Sequence, residues 1–172
     1  MDYKDQIVAN GKLSDVGGIL KENVAKSYRM GVELNASWLI LSSLRWDAAF
    51  ALSQSRIKDY TYYASVIDNL TDFNYQSDLY SATLGSTPIA FSPSIVMSNT
   101  LSYGYGGFEV ALTHQLVGKQ YLDNLGREDH SLPSYHTTSL RLGYELPVHF
   151  VKGWSIQLQV NNLFNAKYSN NG

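Results

Sequence analysis

Residues Trp154 to Tyr168, WSIQLQVNNLFNAKY, carry the pattern that decides the fold. Trp154, Ile156, Leu158, Val160 and Phe164 fall on one parity, with Asn162 the exception. Ser155, Gln157, Gln159 and Asn161 fall on the other, broken only by Leu163. Successive side chains of a strand point to opposite faces, so this stretch is a ribbon with one apolar and one polar face. What each face meets decides what the protein does.

The same alternation recurs upstream. Tyr28, Met30, Val32, Leu34, Ala36 and Trp38 oppose Arg29, Gly31, Glu33, Asn35 and Ser37. After a turn expected within Leu39–Ser43, Leu44, Trp46, Ala48, Phe50 and Leu52 oppose Arg45, Asp47 and Ser53. Ser94–Tyr105 and Phe108–Tyr121 form the next pair. A two-residue Gly106-Gly107 loop places Tyr105 opposite Phe108 and gathers the apolar residues of both strands on one face; Gly-Gly suits the positive φ of such a turn. That register also sets Asn99 opposite His114 on the apolar face, where the two polar groups are expected to satisfy each other. His136–Leu146 puts Thr138, Leu140, Leu142, Tyr144 and Leu146 against Ser139, Arg141, Gly143 and Glu145, and a turn at Pro147–Gly153 leads into the final strand. Tyr3–Val8 reads as the tail of a strand. Gly11–Lys26, Tyr60–Pro88 and Asp123–Ser134 show no sustained period and read as loops. The expected fold is all-β, an antiparallel up-and-down meander of about six full strands and one partial.

Composition narrows the partners. Charged residues are 16% of the 172, against about 25% in soluble domains, and thirteen residues are Tyr. A net charge of -2 leaves no basic footprint, so no nucleic-acid partner is expected. The lack of Cys excludes disulfides and thiolate metal sites. No run approaches the roughly 20 apolar residues of a membrane helix, and the polar start Met1-Asp2-Tyr3-Lys4-Asp5 does not resemble a signal peptide. Long and short connections alternate along the chain, so a meander sends all long loops to one end. Trp38, Trp46, Trp154, Tyr103, Tyr105 and Tyr144 then gather near the short turns, and Tyr28, Tyr121 and Tyr168 near the long loops. Two aromatic belts around an aliphatic band are what a transmembrane β-barrel shows to lipid. Closure into a barrel is how strands satisfy their backbone there. The alternatives are a small free-standing outer-membrane barrel with a structural or adhesive role, and a soluble lipid-binding β-barrel with its apolar face inward. The near absence of Lys from the polar faces argues against the soluble form.

No nucleophile elbow or fixed His–carboxylate spacing points to catalysis, so an enzyme is not expected, nor is a cofactor. Asp129, His130 and His136 read as surface groups of a polar loop rather than metal ligands. Gly104-Tyr105-Gly106-Gly107 lacks the Lys and helix of a phosphate loop and reads as a hairpin turn. The polar-face charges Arg29, Glu33, Arg45, Asp47, Arg141 and Glu145 are the lumen-facing candidates, forming cross-strand pairs or meeting a plug. Arg29 and Glu33 lie about 13 Å apart along one strand and need partners on neighbours. Ligand contact is expected from aromatic side chains of the long loops, with Tyr62, Tyr63, Tyr75 and Tyr80 as candidates.

Val117–Asn124 (VGKQYLDN) and Val160–Gly172 (VNNLFNAKYSNNG) resemble the C-terminal barrel segments of TonB-dependent outer-membrane receptors of the Bacteroidetes type. Tyr3-Lys4-Asp5-Gln6, Lys26–Leu34 (KSYRMGVEL) and Phe91-Ser92-Pro93 fit the same pattern in the same order. The resemblance covers nearly the whole chain. It implies a place in the cell outer membrane, contact with lipid, and import of a scarce nutrient (a ferric siderophore, cobalamin or similar). Energy would come through the TonB complex. It further implies a barrel of about 22 strands filled by a plug domain. Residues 1–172 would be the C-terminal part of that barrel, a fragment without plug or signal sequence, in which Asn161–Tyr168 runs outward as the penultimate strand.

Overall fold

A computed structural model describes all residues except 15, 17, 68–76, 148–152 and 170–172. The chain is almost entirely strand. In order the strands are β1 (Asp2–Tyr3), β2 (Gln6–Leu13), β3 (Ile19–Val24), β4 (Lys26–Leu41), β5 (Leu44–Ile67), β6 (Ser77–Pro88), β7 (Ile95–Tyr105), β8 (Phe108–Val117), β9 (Gln120–Tyr121), β10 (Ser131–Leu132), β11 (Tyr135–Glu145) and β12 (Ser155–Val160). One 3-10 turn lies at Glu128–His130. The principal sheet runs β1-β4-β5-β7-β8-β11-β12, with β6 added beside β5; β2 pairs with β3, and β9 with β10. All the registered pairs are antiparallel. This is the expected meander.

The chain divides into two compact units, the first made of Met1–Met30, Gln54–Ser92 and Tyr121–Ser131, the second of Gly31–Ser53, Pro93–Gln120 and Leu132–Gly172. In the second unit, register arranges side chains in rows across the strands. One face carries Trp46–Leu101–Leu112–Leu140–Val160, then Leu44–Tyr103–Val110–Leu142–Leu158, then Tyr105–Phe108–Tyr144–Ile156. The other carries Arg45–Ser102–Ala111–Arg141–Gln159 and Asp47–Thr100–Thr113–Ser139. The apolar face is uncovered: Trp38 is 61%, Leu158 56% and Ile156 61% exposed. Gly106 and Gly107 have φ of 60° and 83°, which two-residue hairpin turns of this hand require. The turn expected in Leu39–Ser43 is confined to Ser42–Ser43.

The first unit holds the closed core. Val8, Val24, Ile57, Tyr60 and Ile89 are buried together, with Tyr62, Leu84 and Leu125 packed against them. Asp59 has φ 54°, which interrupts the alternation and lets both Ile57 and Tyr60 join this core. Gly11, with φ 87°, lies so close to the Tyr63 carbonyl and the Tyr62 ring that a Cβ there has no room.

The structure corrects several expectations. Gly11–Lys26 is not a loop: it contributes to the β2–β3 hairpin, paired from Gln6↔Val24 to Leu13↔Ile19. The hairpin was hidden because its alternation is mostly polar; Asn10 Nδ2 donates to Glu22 Oε2 at 2.9 Å where an apolar pattern shows nothing. Tyr60–Pro88 is likewise not a loop. β5 continues to Ile67 and pairs with β6 from Arg56↔Pro88 to Ile67↔Ser77, a ladder of Tyr, Thr and Ser, residues among which Tyr and Thr favour strands. Among the described residues twelve strands, several of them only two residues long, replace the six and a part that were expected. His114 does not bond Asn99 across their shared register; its Nδ1 lies 2.9 Å from Thr138 Oγ1 on the other neighbour. The final strand stops at Val160, so Asn161–Tyr168 is not strand among the described residues. Asn162 takes φ 51° and brackets Ala166, accepting from its N–H at 2.8 Å and donating to its carbonyl at 3.0 Å. The break at Asn162 and Leu163 in the opening pattern is this turn. The turn expected at Pro147–Gly153 falls largely outside the described residues.

Beyond β11, β12 has no strand neighbour in the sheet among the described residues. A row of free N–H and C=O groups templates pairing with another chain. The isolated chain is therefore expected to self-associate in detergent, read by size-exclusion chromatography with light scattering; a monodisperse monomer contradicts this.

Candidate functional site

Two surfaces carry chemistry, one in each unit. On the polar face of the second unit, Arg45 Nε and Nη2 bond Asp47 Oδ1 at 2.9 and 2.7 Å. The residues are two apart on one strand, so this pair is intrastrand rather than the cross-strand partnership expected. Arg141 Nη2 does reach across, to Glu109 Oε1 at 3.0 Å. Thr100 and Thr113 hydroxyls meet at 3.0 Å between them, and Gln159 Nε2 donates to Asn161 Oδ1 at 2.8 Å. Glu33 and Glu145 are exposed and form no ion pair among the described residues, and neither does Arg29 of the first unit. Exposed ion pairs of this kind contribute little stability. The face is instead a hydrated carpet of hydroxyls and amides with charges spaced across it.

The first unit has an open cavity of about 620 Å³. Its wall is apolar and aromatic, from Ile7, Val8, Tyr60, Tyr62, Ile89, Phe91, Leu122 and Leu125, and its polar groups are Gln6, Lys21, Asp123 and Asn124. Four segments meet around it: the β2–β3 hairpin, β5, residues 89–91 and residues 122–125. The Tyr60 hydroxyl donates to the Ala9 carbonyl at 2.7 Å, tying β5 to the hairpin. Asn124, almost fully buried, accepts from Ala90 N–H at 2.8 Å and donates to the same Ala9 carbonyl at 3.4 Å. Phe91 N–H donates to the Tyr121 carbonyl at 2.9 Å. The stretches Phe91–Pro93 and Val117–Asn124, quoted above for their family likeness, thus meet here through Phe91, Tyr121 and Asn124.

The four tyrosines singled out for ligand contact are scattered. Tyr62 lines the cavity. The Lys12 ammonium lies 3.8 Å from the centroid of the Tyr63 ring, a cation–π contact. Tyr80 stands 60% exposed on β6, opposite Ala64. Tyr75 lies outside the described residues. Sequence reasoning missed Lys21, hidden in the unrecognised hairpin. It also missed Asn124 as the fastening of the cavity, although Asn124 ends the VGKQYLDN stretch. Asp129 and His130 are exposed on the loop, and no three His, Asp or Glu side chains gather into a metal cluster among the described residues.

Burial pushes the Tyr60 phenol above the ordinary tyrosine range, opposed by the Asn124 side chain and reinforced by the Asp123 charge. A folded-state pKa above the unfolded one means that this contribution is complete below about pH 10 and is lost as pH rises further. Tyr60→Phe is expected to cost about 0.5–1.5 kcal/mol at neutral pH through the lost bond to Ala9. It is also expected to flatten the fall of stability above pH 10, both read by denaturant unfolding across pH. An identical alkaline profile in the variant contradicts the assignment.

Comparison with known proteins places these features. The family model described as "TonB dependent receptor-like, beta-barrel" matches residues 1–163. No curated protein matches significantly. Among solved structures, the copper transporter OprC superposes with a TM-score of 0.66 at 18% identity, covering 98% of this chain and 22% of that one. The ferric-catecholate import receptor Fiu of E. coli K12, in its closed form, gives 0.61 at 16% identity, covering 99% of this chain and 20% of that one. The chain thus spans about a fifth of each of these proteins.

Proposed function

This chain belongs to the family of TonB-dependent receptor-like β-barrels, and on that premise we propose that it forms part of the wall and outer rim of an outer-membrane nutrient importer. The observation that carries the proposal is the two-faced sheet of the second unit. Its uncovered rows of Leu, Val, Tyr, Phe and Trp suit lipid, and its opposite rows of Thr, Ser, Gln, Arg and Asp suit a water-filled interior. A soluble barrel would turn the apolar rows inward, whereas the hollow of this sheet is lined from the polar face by Asn35, Ser37, Asp47, Ser98 and Thr100.

In this reading Arg29, Glu33, Arg45, Asp47, Arg141 and Glu145 face the lumen, where a plug domain packs and the TonB complex delivers energy from the periplasmic side. We read it as a receptor of the Bacteroidetes kind, which the quoted motifs resemble. The cavity of the first unit contributes to capture of cargo. An aromatic wall with one ammonium and one carboxylate suits a ligand with apolar or ring surface and few charges, such as a siderophore complex or a corrinoid. The metal and ferric-catecholate import named for OprC and Fiu is in keeping with such cargo.

The membrane assignment is tested by reconstituting the chain in bilayers of brominated lipid. Trp38 and Trp154, exposed on the apolar face, are expected to be strongly quenched; fluorescence equal to that in unbrominated lipid overturns the proposal. Cargo is addressed by growth of the source cells on ferric siderophores or cobalamin as sole iron or corrinoid source, with Tyr62→Ala and Lys21→Ala expected to raise the concentration required.

A further inference from the structure

The apolar face of the second unit is interrupted at one place. Above the three greasy rows lies Ala48–Asn99–His114–Thr138, and the next row, Phe50–Met97–Leu116–His136, ends on a second histidine. Ionisable groups on a lipid-facing surface are costly and are seldom placed there without a role. His114 Nδ1 is 2.9 Å from the Thr138 hydroxyl, and Thr138 is only 5% exposed. A hydroxyl accepting the Nδ1 proton fixes the tautomer that leaves Nε2 with its lone pair. Metal-bound histidines make this same outer bond, from the ring nitrogen that does not touch the metal.

His136 sits diagonally from His114 on the adjacent strand, exposed, with ring centroids 5.5 Å apart and planes inclined by 36°. Such a tilt is not a parallel stack. With metal–nitrogen bonds of about 2.0–2.1 Å, two imidazoles on one tetrahedral ion hold their centroids roughly 5–5.5 Å apart. The observed spacing falls at the upper end of that range. We propose that His114 and His136 form a two-imidazole site for a divalent first-row transition-metal ion of the zinc, copper or nickel kind, which imidazole suits best. Asn99, opposite His114 in register, offers a further donor from a neighbouring strand, and His136, the second residue of β11, stands at the strand end, where interfacial water completes the coordination. The site lies on the face opposite Arg45, Asp47 and Arg141, so it is not on the route of imported cargo. The ion staples β8 to β11.

The test is titration of the untagged full chain in detergent with Zn²⁺ alone and with Cu²⁺ alone, by calorimetry and by electron paramagnetic resonance for copper. One site is expected, with a copper spectrum showing two equivalent nitrogen ligands and a rise in thermal midpoint on adding Zn²⁺. His136→Asn, at an exposed position, is expected to keep the strand signal in circular dichroism. It should weaken binding by at least about tenfold and remove one nitrogen and the thermal shift. Thr138→Val is expected to weaken binding by about 10–100-fold as a positioning residue, while His130→Asn leaves it unchanged. Absence of binding below millimolar metal, or His136→Asn binding as the parent does, overturns the proposal.

Discussion

On the proposed reading, a strand of the second unit that meets lipid can send its N–H and C=O groups only to another strand, and the arrangement of the unit agrees with that constraint. Pairing has to be continuous, so the register has to be uniform from β5 through β12. A uniform register gathers side chains into rows, and rows of one polarity make the two faces. The turn at Gly106–Gly107 is where this becomes local chemistry. Positive φ at both residues closes the hairpin in two steps and keeps Tyr105 opposite Phe108. One residue more or fewer would turn every Leu of β8 toward water.

The part of the fold legible in the sequence is the part governed by that polarity. Leu44–Leu52, Met97–Tyr105, Phe108–Leu116 and Trp154–Val160 alternate between an apolar and a polar face, as a wall between lipid and water would on the proposed reading. Where both faces meet water, the alternation vanishes although the strand does not. β5 beyond Ser53, β6 and the β2–β3 hairpin are held by backbone pairing, by Tyr60 on Ala9, and by contacts such as Asn10 with Glu22. None of these produces a period in hydrophobicity. The cavity was illegible for the same reason, since it is assembled from the hairpin, β5, residues 89–91 and residues 122–125, which are far apart in sequence.

Two asparagines of the motifs that carried the family likeness serve as fastenings. Asn124 uses both ends of its amide to hold Ala90 and Ala9, and Asn162 uses both ends of its amide to clasp Ala166. Asparagine suits both places because it offers a donor and an acceptor on a short stem and, at 162, tolerates a left-handed backbone. Beyond Asn162, Leu163 N–H still bonds the Thr138 carbonyl and Tyr168 stacks on Tyr135 at 4.4 Å. The chain therefore leaves the ladder at Val160 without leaving β11.

Gly11 gives the first unit an unexpected freedom. The hairpin crosses Tyr62 and Tyr63 at one residue without a side chain, and among the described side chains only Val8, Asn10 and Val24 of it are buried. A surface element hung from so few points is replaceable. New residues on the hairpin would, on the proposed reading, alter what the cavity admits. Change in such a protein can therefore run at two speeds, fast in the hairpin and slow in the paired strands whose register fixes both faces.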